Sequence, residues 1–147
     1  METKIKQSLI GGITGTAIMS IVMFVAPMMG MPKMNPAAML SMMFGLPIAI
    51  GWIMHFMIGI IFALIYAFLF IQLVKKVNNN LLKGAIFGLA AFFFAQIAMA
   101  IMGAMLGAMP PMEGSKMLVM IGSIMGHVIF GIVVAVFVKE EVLVATR

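Results

Sequence analysis

One uninterrupted stretch, residues 47–74, contains no Asp, Glu, Lys or Arg and reads PIAIGWIMHFMIGIIFALIYAFLFIQLV. A helix that crosses the hydrocarbon core of a bilayer needs roughly 20 mainly apolar residues. Three further runs meet this criterion, at about residues 9–29, 81–105 and 117–138. All four are too long for barrel strands and lack their alternation of apolar and polar residues. We therefore predict an all-α, transmembrane four-helix bundle.

The composition of the whole chain agrees with this class. Of its 147 residues, 65% are hydrophobic and 9% are charged, whereas soluble domains carry about 25% charged residues. A soluble domain is excluded, and so is a disordered chain, which requires low hydrophobicity. The absence of Cys excludes disulfides, iron–sulfur clusters and thiolate metal sites. The 20 methionines are the unusual feature.

The cations predict the orientation of the four spans. Only Lys33 and Lys116 fall in the two connections on one side of the membrane. The other side carries Lys4, Lys6, Lys75, Lys76, Lys83, Lys139 and Arg147. The positive-inside rule then places both termini in the cytoplasm and makes the protein an integral protein of the plasma or inner membrane. We expect the first span to be an uncleaved anchor. Because topology explains most of the net charge of +5, nucleic acid is not an expected partner.

The two halves of this single transmembrane domain, residues 1–147, resemble each other, which predicts two repeated helical hairpins. Repeat 1 covers about residues 8–76 and repeat 2 about residues 81–139. Gly11 and Gly84 are 73 positions apart, and His55 and His127 are 72 apart. Since each repeat has two spans, both copies have the same orientation, and we expect a pseudo-twofold axis along the membrane normal.

The chain has two histidines, and they occupy equivalent positions of the two repeats at similar depth. A histidine inside a span is a functional candidate because an unpaired polar side chain in hydrocarbon is costly. Small residues recur every four positions through each one, namely Gly51, Gly59 and Ala63 around His55, and Ser123, Gly131 and Ala135 around His127. Such stripes permit close packing of helices, or they leave room for a planar cofactor beside each imidazole.

A haem b held by two axial imidazoles, His55 and His127, is the first interpretation of this pair. In that interpretation Lys33 and Lys116 pair with the propionates and Trp52 flanks the macrocycle. The alternatives are solvated loop lysines, a tryptophan of the interfacial belt, and histidines that hydrogen-bond between helices. We expect Gln96, a polar residue of the third span, to hydrogen-bond a neighbouring helix.

The methionines crowd the two outer connections. The first group is Met28, Met29, Met31, Met34, Met39, Met42 and Met43, and the second is Met99, Met102, Met105, Met109, Met112, Met117 and Met120. Thioethers are soft ligands that select Cu(I), so copper binding by outer methionines and the histidines is an alternative to haem. The other alternative is adaptable packing of irregular apolar space. Met54, Met57 and Met125 neighbour the histidines, which makes them either alternative axial ligands or the lining of a pocket, and we expect the lining role.

The run Met28-Met29-Gly30-Met31-Pro32, followed by Gly51-Trp52-Ile53-Met54-His55-Phe56, resembles an uncharacterised family of small four-span membrane proteins. The resemblance covers most of the chain and implies the architecture, with no activity attached. Between these motifs, Asn35-Pro36 and Gly45 bracket a segment that we predict to be a short helix capping the bundle at the membrane surface.

Three functions follow as expectations. The first is a haem-binding subunit that transfers electrons in, or stabilises, a respiratory-type membrane complex. The second is a copper-handling membrane protein, and the third is a purely structural accessory subunit. No span carries Asp, Glu, Lys or Arg well inside it, which disfavours ion-coupled transport and catalysis. We therefore expect no enzyme activity of its own, the lipid bilayer as surroundings, and other membrane subunits as partners.

Overall fold

The computed structural model describes residues 1–107 and 114–139, and these residues form helices and connections without any strand. Four helices are long and apolar enough to cross a membrane. They are α1 (Glu2–Val25), α3 (Ile48–Leu73, with a π-helical turn at Tyr66–Phe70), α4 (Asn80–Leu106) and α5 (Lys116–Phe137). The predicted all-α, four-helix membrane bundle is confirmed. Outside the described residues lie Met109, Pro110, Pro111, Met112, Glu113 and Arg147.

A short 3-10 helix, Ala26–Met29, follows α1, and a further α-helix, α2 (Pro36–Phe44), confirms the predicted short helix. The Asn35 side chain accepts a hydrogen bond of 3.0 Å from the Ala38 N–H, which caps the first turn. Gly45 ends the helix in the left-handed conformation, at a φ of 62°. Helix α2 packs along α3, and its Ala37 is completely buried there.

The four long helices are not packed equally. Helix α1 packs against α3 and α5, and α4 packs against α5. Helices α3 and α4 meet through aromatic rings instead. Phe87 of α4 lies with its ring centroid 5.0 Å from that of Tyr66 and 6.4 Å from that of Phe62, both of α3.

Contacts between residues that are distant in sequence show which helix termini lie together at each end of the bundle. At the terminal end, the Lys139 N–H donates a 3.2 Å hydrogen bond to Gln7 Oε1, so the beginning of α1 lies beside the end of α5. At the methionine-rich end, which comprises residues 26–46 and 114–116, Pro32 lies next to Gly114. The halves of the bundle next to these ends are called the terminal half and the methionine-rich half below.

Glycines bring helices into backbone contact in the terminal half. A Cβ on Gly12 would meet the backbone of Gly59 and Ile60, so α1 and α3 touch directly. A Cβ on Gly84 or Gly131 would likewise meet the backbone of the facing helix, so α4 and α5 touch in the same way. Close approach of this kind is how small residues associate helices in membranes.

The correspondence between the two hairpins is partial. Gly11 and Gly15 of α1 face α5, across the boundary between hairpins, whereas their counterparts Gly84 and Gly88 face α5 within their own hairpin. The extensive contact of α1 with α5 also has no equally extensive counterpart between α3 and α4. The duplication therefore stays a prediction from sequence spacing.

Candidate functional site

His55 is buried in α3, with 8% of its surface exposed, and it is joined to α1 by Ser20. The Ser20 hydroxyl lies 2.7 Å from the Thr16 carbonyl oxygen and 3.2 Å from His55 Nε2. The shorter distance assigns the single hydroxyl proton to the Thr16 carbonyl. His55 then donates its Nε2–H to Ser20 Oγ. This bond links α1 to α3 within the apolar bundle.

His127 is half-buried in α5 and is oriented by its own helix. Its Nδ1 lies 2.8 Å from the Ser123 carbonyl oxygen, one turn earlier. Because a carbonyl only accepts, Nδ1 carries the proton, and the Nε2 of a neutral imidazole then has a free lone pair. Metal-binding histidines show this arrangement, in which the second nitrogen donates to a carbonyl. The Phe92 ring of α4 packs edge-on at a centroid distance of 5.8 Å.

His55 lies in the methionine-rich half of the bundle, and His127 lies near the middle of α5. His55 is seven residues from the start of α3, and His127 is eleven residues from the start of α5. At 1.5 Å per residue these positions lie roughly 10 and 16 Å from the two helix ends. Measured from these helix ends, the two histidines differ in depth by roughly 6 Å.

The small residues around the histidines are in contact with neighbouring helices. A Cβ on Gly51 would meet the Ala37 carbonyl of α2, and one on Gly59 would meet the Thr16 side chain of α1. Gly131 is covered by the backbone of α4. The structure gives these three glycines the packing role. The space beside these three glycines is filled by neighbouring helices, so a macrocycle would not lie against them as the small-residue stripes suggested.

Two cavities border this half of the bundle. One, of about 60 Å³, opens at the methionine-rich end and is lined by Ser20, Phe24, Met34, Asn35, Pro36 and Trp52. The other, of about 330 Å³, is apolar and is lined by Ile21, Val22, Val25, Ala26, Met29 and Met125. Neither cavity has a histidine in its lining. The smaller one reaches Ser20, the partner of His55, and therefore leads from the surface toward the histidines.

The remaining predicted site residues divide into two groups. Trp52 lines the small cavity and packs at a centroid distance of 6.1 Å from the His55 ring. Lys33 and Lys116 are exposed at the methionine-rich end and form no ion pair within residues 1–107 and 114–139. Gln96 is exposed on α4 and has no hydrogen bond to another described residue, so the interhelical bond expected for it is absent from the described chain.

Four methionines converge on α5 just before His127. The methyl groups of Met31 and Met34 occupy the space beside Gly122, and those of Met19 and Met23 occupy the space beside Gly126. The sequence indicated Met31 and Met34 as members of the outer cluster. Met19 and Met23 were missed there, although their four-residue spacing places both on one face of α1.

The donor set limits what this half of the bundle can bind. No group of three or more His, Cys, Asp or Glu side chains able to hold a metal exists in the described part of the chain. Besides the two imidazoles, the soft donors in this part of the bundle are the thioethers of methionine. Imidazole with thioether sulfur is a donor set suited to copper.

These features define a small helical membrane protein with four spanning helices, two histidines and a methionine-rich half. The chain belongs to DUF6789, a family of unknown function whose pattern matches residues 2–141. This membership confirms the resemblance to an uncharacterised family of small four-span proteins. No curated protein and no solved structure matches the chain.

Proposed function

We propose that this protein handles copper, binding Cu(I) in the methionine-rich half of the bundle. The observation that supports this most is the convergence of four methionine side chains on Gly122 and Gly126 of α5, five residues and one residue before His127. Cu(I) is a soft cation that prefers thioether and imidazole ligands. The candidate ligands are the free Nε2 of His127 and the thioethers of Met23 and Met34.

His55 has a different role in this proposal. Its Nε2 is bonded to Ser20, so it holds α1 next to α3 and thereby fixes the position of Met19 and Met23 on the same helix. We therefore treat His55 as a positioning residue whose Nδ1 is a further candidate ligand. The small cavity lined by Met34 and Asn35 is the proposed route for the ion from the surface.

The first test is a competition titration. Purified protein in nanodiscs is titrated with Cu(I) against a coloured Cu(I) chelator, and we expect one tightly held ion per chain. Met23→Leu and His127→Leu should each weaken binding by about tenfold or more, because each removes a ligand. The matched control is Met57→Leu on the exposed face of α3, which should bind like the wild type. Unchanged affinity in Met23→Leu and His127→Leu, or no binding, would contradict the proposal.

Haem b between His55 and His127, with a role in electron transfer, is tested on the same preparation. Protein produced with ample haem should lack a Soret band if copper is the ligand. A Soret band that disappears in both His55→Ala and His127→Ala would replace the copper proposal with haem. Protein that binds neither ligand and copurifies with other membrane subunits would favour a purely structural accessory subunit.

We also propose that both termini lie in the cytoplasm and the methionine-rich end faces the outside of the plasma or inner membrane. The support is the cation count, with Lys33 and Lys116 alone at the methionine-rich end. The natural chain has no Cys, so single substitutions report the topology directly. In intact cells a membrane-impermeant maleimide should label Lys33→Cys and spare Lys76→Cys. The reverse pattern would contradict this orientation.

A further inference from the structure

The second half of α4, which follows Phe92, carries a polar side chain that has no hydrogen-bond partner in the described chain. All the buried residues of α4 lie between Lys83 and Phe92, and none follows. In the more exposed second half stands Gln96, whose amide has no hydrogen bond to any other described residue. About ten residues separate it from the end of α4, which places it roughly 15 Å into the helix, within the apolar region. An amide left without partners in hydrocarbon is costly.

The surroundings of Gln96 permit a second helix to approach closely. Ala100 and Ala104 follow at intervals of four, are exposed, and share a face with Gln96. The half-buried positions Met99 and Met102 mark the side of α4 that turns toward the bundle. The face bearing Gln96, Ala100 and Ala104, called the Gln96 face below, is thus exposed along its length within the described chain.

We propose that the Gln96 face is a homodimer interface, with the α4 helices of two copies crossing at Gln96. A glutamine amide carries both donors and an acceptor, so two copies related by a twofold axis satisfy each other. Self-complementary contacts of this kind are the rule in twofold-symmetric dimers. The two alanines keep the helices close enough for the amides to meet. This inference is independent of copper binding.

The Cys-free chain makes disulfide trapping a direct test. Ala100→Cys, reconstituted in lipid at low density and oxidised without copper, should form a covalent dimer. Ile21→Cys is the matched control, since Ile21 is exposed on α1 near the same end of the bundle, and it should stay monomeric. Equal trapping at both positions, or none at Ala100→Cys, would overturn the interface.

A second experiment tests whether the side-chain amide of Gln96 contributes to dimerisation. In the Ala100→Cys background, Gln96→Leu should weaken dimerisation by about 3- to 20-fold per hydrogen bond lost, while Gln96→Asn should retain most of it. The dimer fraction is measured as a function of the protein-to-lipid ratio, on preparations that elute as single species. A Gln96→Leu protein that dimerises like the wild type would assign the contact to packing alone and overturn the role of Gln96. A wild-type chain that is monomeric at every ratio would overturn the dimer itself.

Discussion

In the terminal half of the bundle, Gly12, Gly84 and Gly131 lie against the backbone of neighbouring long helices, whereas in the methionine-rich half Gly122 and Gly126 lie against the ends of methionine side chains. The exception in the methionine-rich half is Gly51, which lies against the Ala37 carbonyl of the short helix α2. A backbone contact fixes the distance between two helix axes. A methionine side chain rotates about three bonds and fills space without fixing it. The comparison indicates a rigid half that holds the fold together and an adaptable half in which side chains are able to rearrange around a ligand.

The largest effect is expected for Gly131→Ala in the rigid half. The added methyl would meet the Gly84 carbonyl and the Gly88 backbone of α4, neither of which is able to turn aside. We expect a loss of about 3 kcal/mol in the free energy of unfolding, at the upper end of overpacking costs. Unfolding in a denaturing detergent measures it. A loss below about 0.5 kcal/mol would show that the backbone contact does not hold the hairpin together.

An intermediate effect is expected for Ser20→Ala, which removes the side-chain hydrogen bond that joins α1 to α3. The variant loses the bond from His55 and leaves its Nε2–H without this acceptor. Interhelical hydrogen bonds in membranes contribute about 0.6 to 1.7 kcal/mol, and a loss in this range is expected from the same unfolding assay. The control is Ser8→Ala, whose hydroxyl bonds only to the Lys4 carbonyl of its own helix. Equal losses in the two variants would mean that the Ser20–His55 bond contributes nothing specific.

The smallest change in stability is expected for Gly126→Ala in the adaptable half. The new methyl meets the terminal methyl of Met23, which is able to move, so the expected loss is below about 1 kcal/mol. The same displacement should weaken Cu(I) binding, because it shifts a proposed ligand. A large loss of stability would show that the methionines are packed as rigidly as the glycines of the terminal half.

The fold was predictable because its signals are local. Length and hydropathy locate the four spans, and Asn35, Pro36 and Gly45 give the short helix α2 its beginning and end. The roles of Gly51 and Gly131 were not predictable, since a stripe of small residues indicates either close packing or space for a cofactor. Only the positions of the neighbouring helices decide between the two. Met23 was missed for a related reason, because a methionine in an apolar helix does not reveal which neighbour it faces.

The partner of Gln96 was also not predictable from the sequence. Its polarity within a span predicts a partner, and the sequence alone suggested a neighbouring helix of the same chain. The structure instead leaves Gln96 exposed on α4, although Phe94, two residues earlier, packs on Phe62 of α3 at a centroid distance of 5.5 Å. Which way a helix faces depends on long-range packing, and this cannot be read from one residue.

The central claim is that thioethers and imidazole together bind copper in the methionine-rich half. The most direct measurement is the X-ray absorption spectrum of the Cu(I)-loaded protein. We predict a first coordination shell that contains both sulfur and imidazole nitrogen, with the sulfur contribution reduced in Met23→Leu and the imidazole contribution reduced in His127→Leu. A shell made only of nitrogen or oxygen, or one that neither substitution changes, would contradict the account.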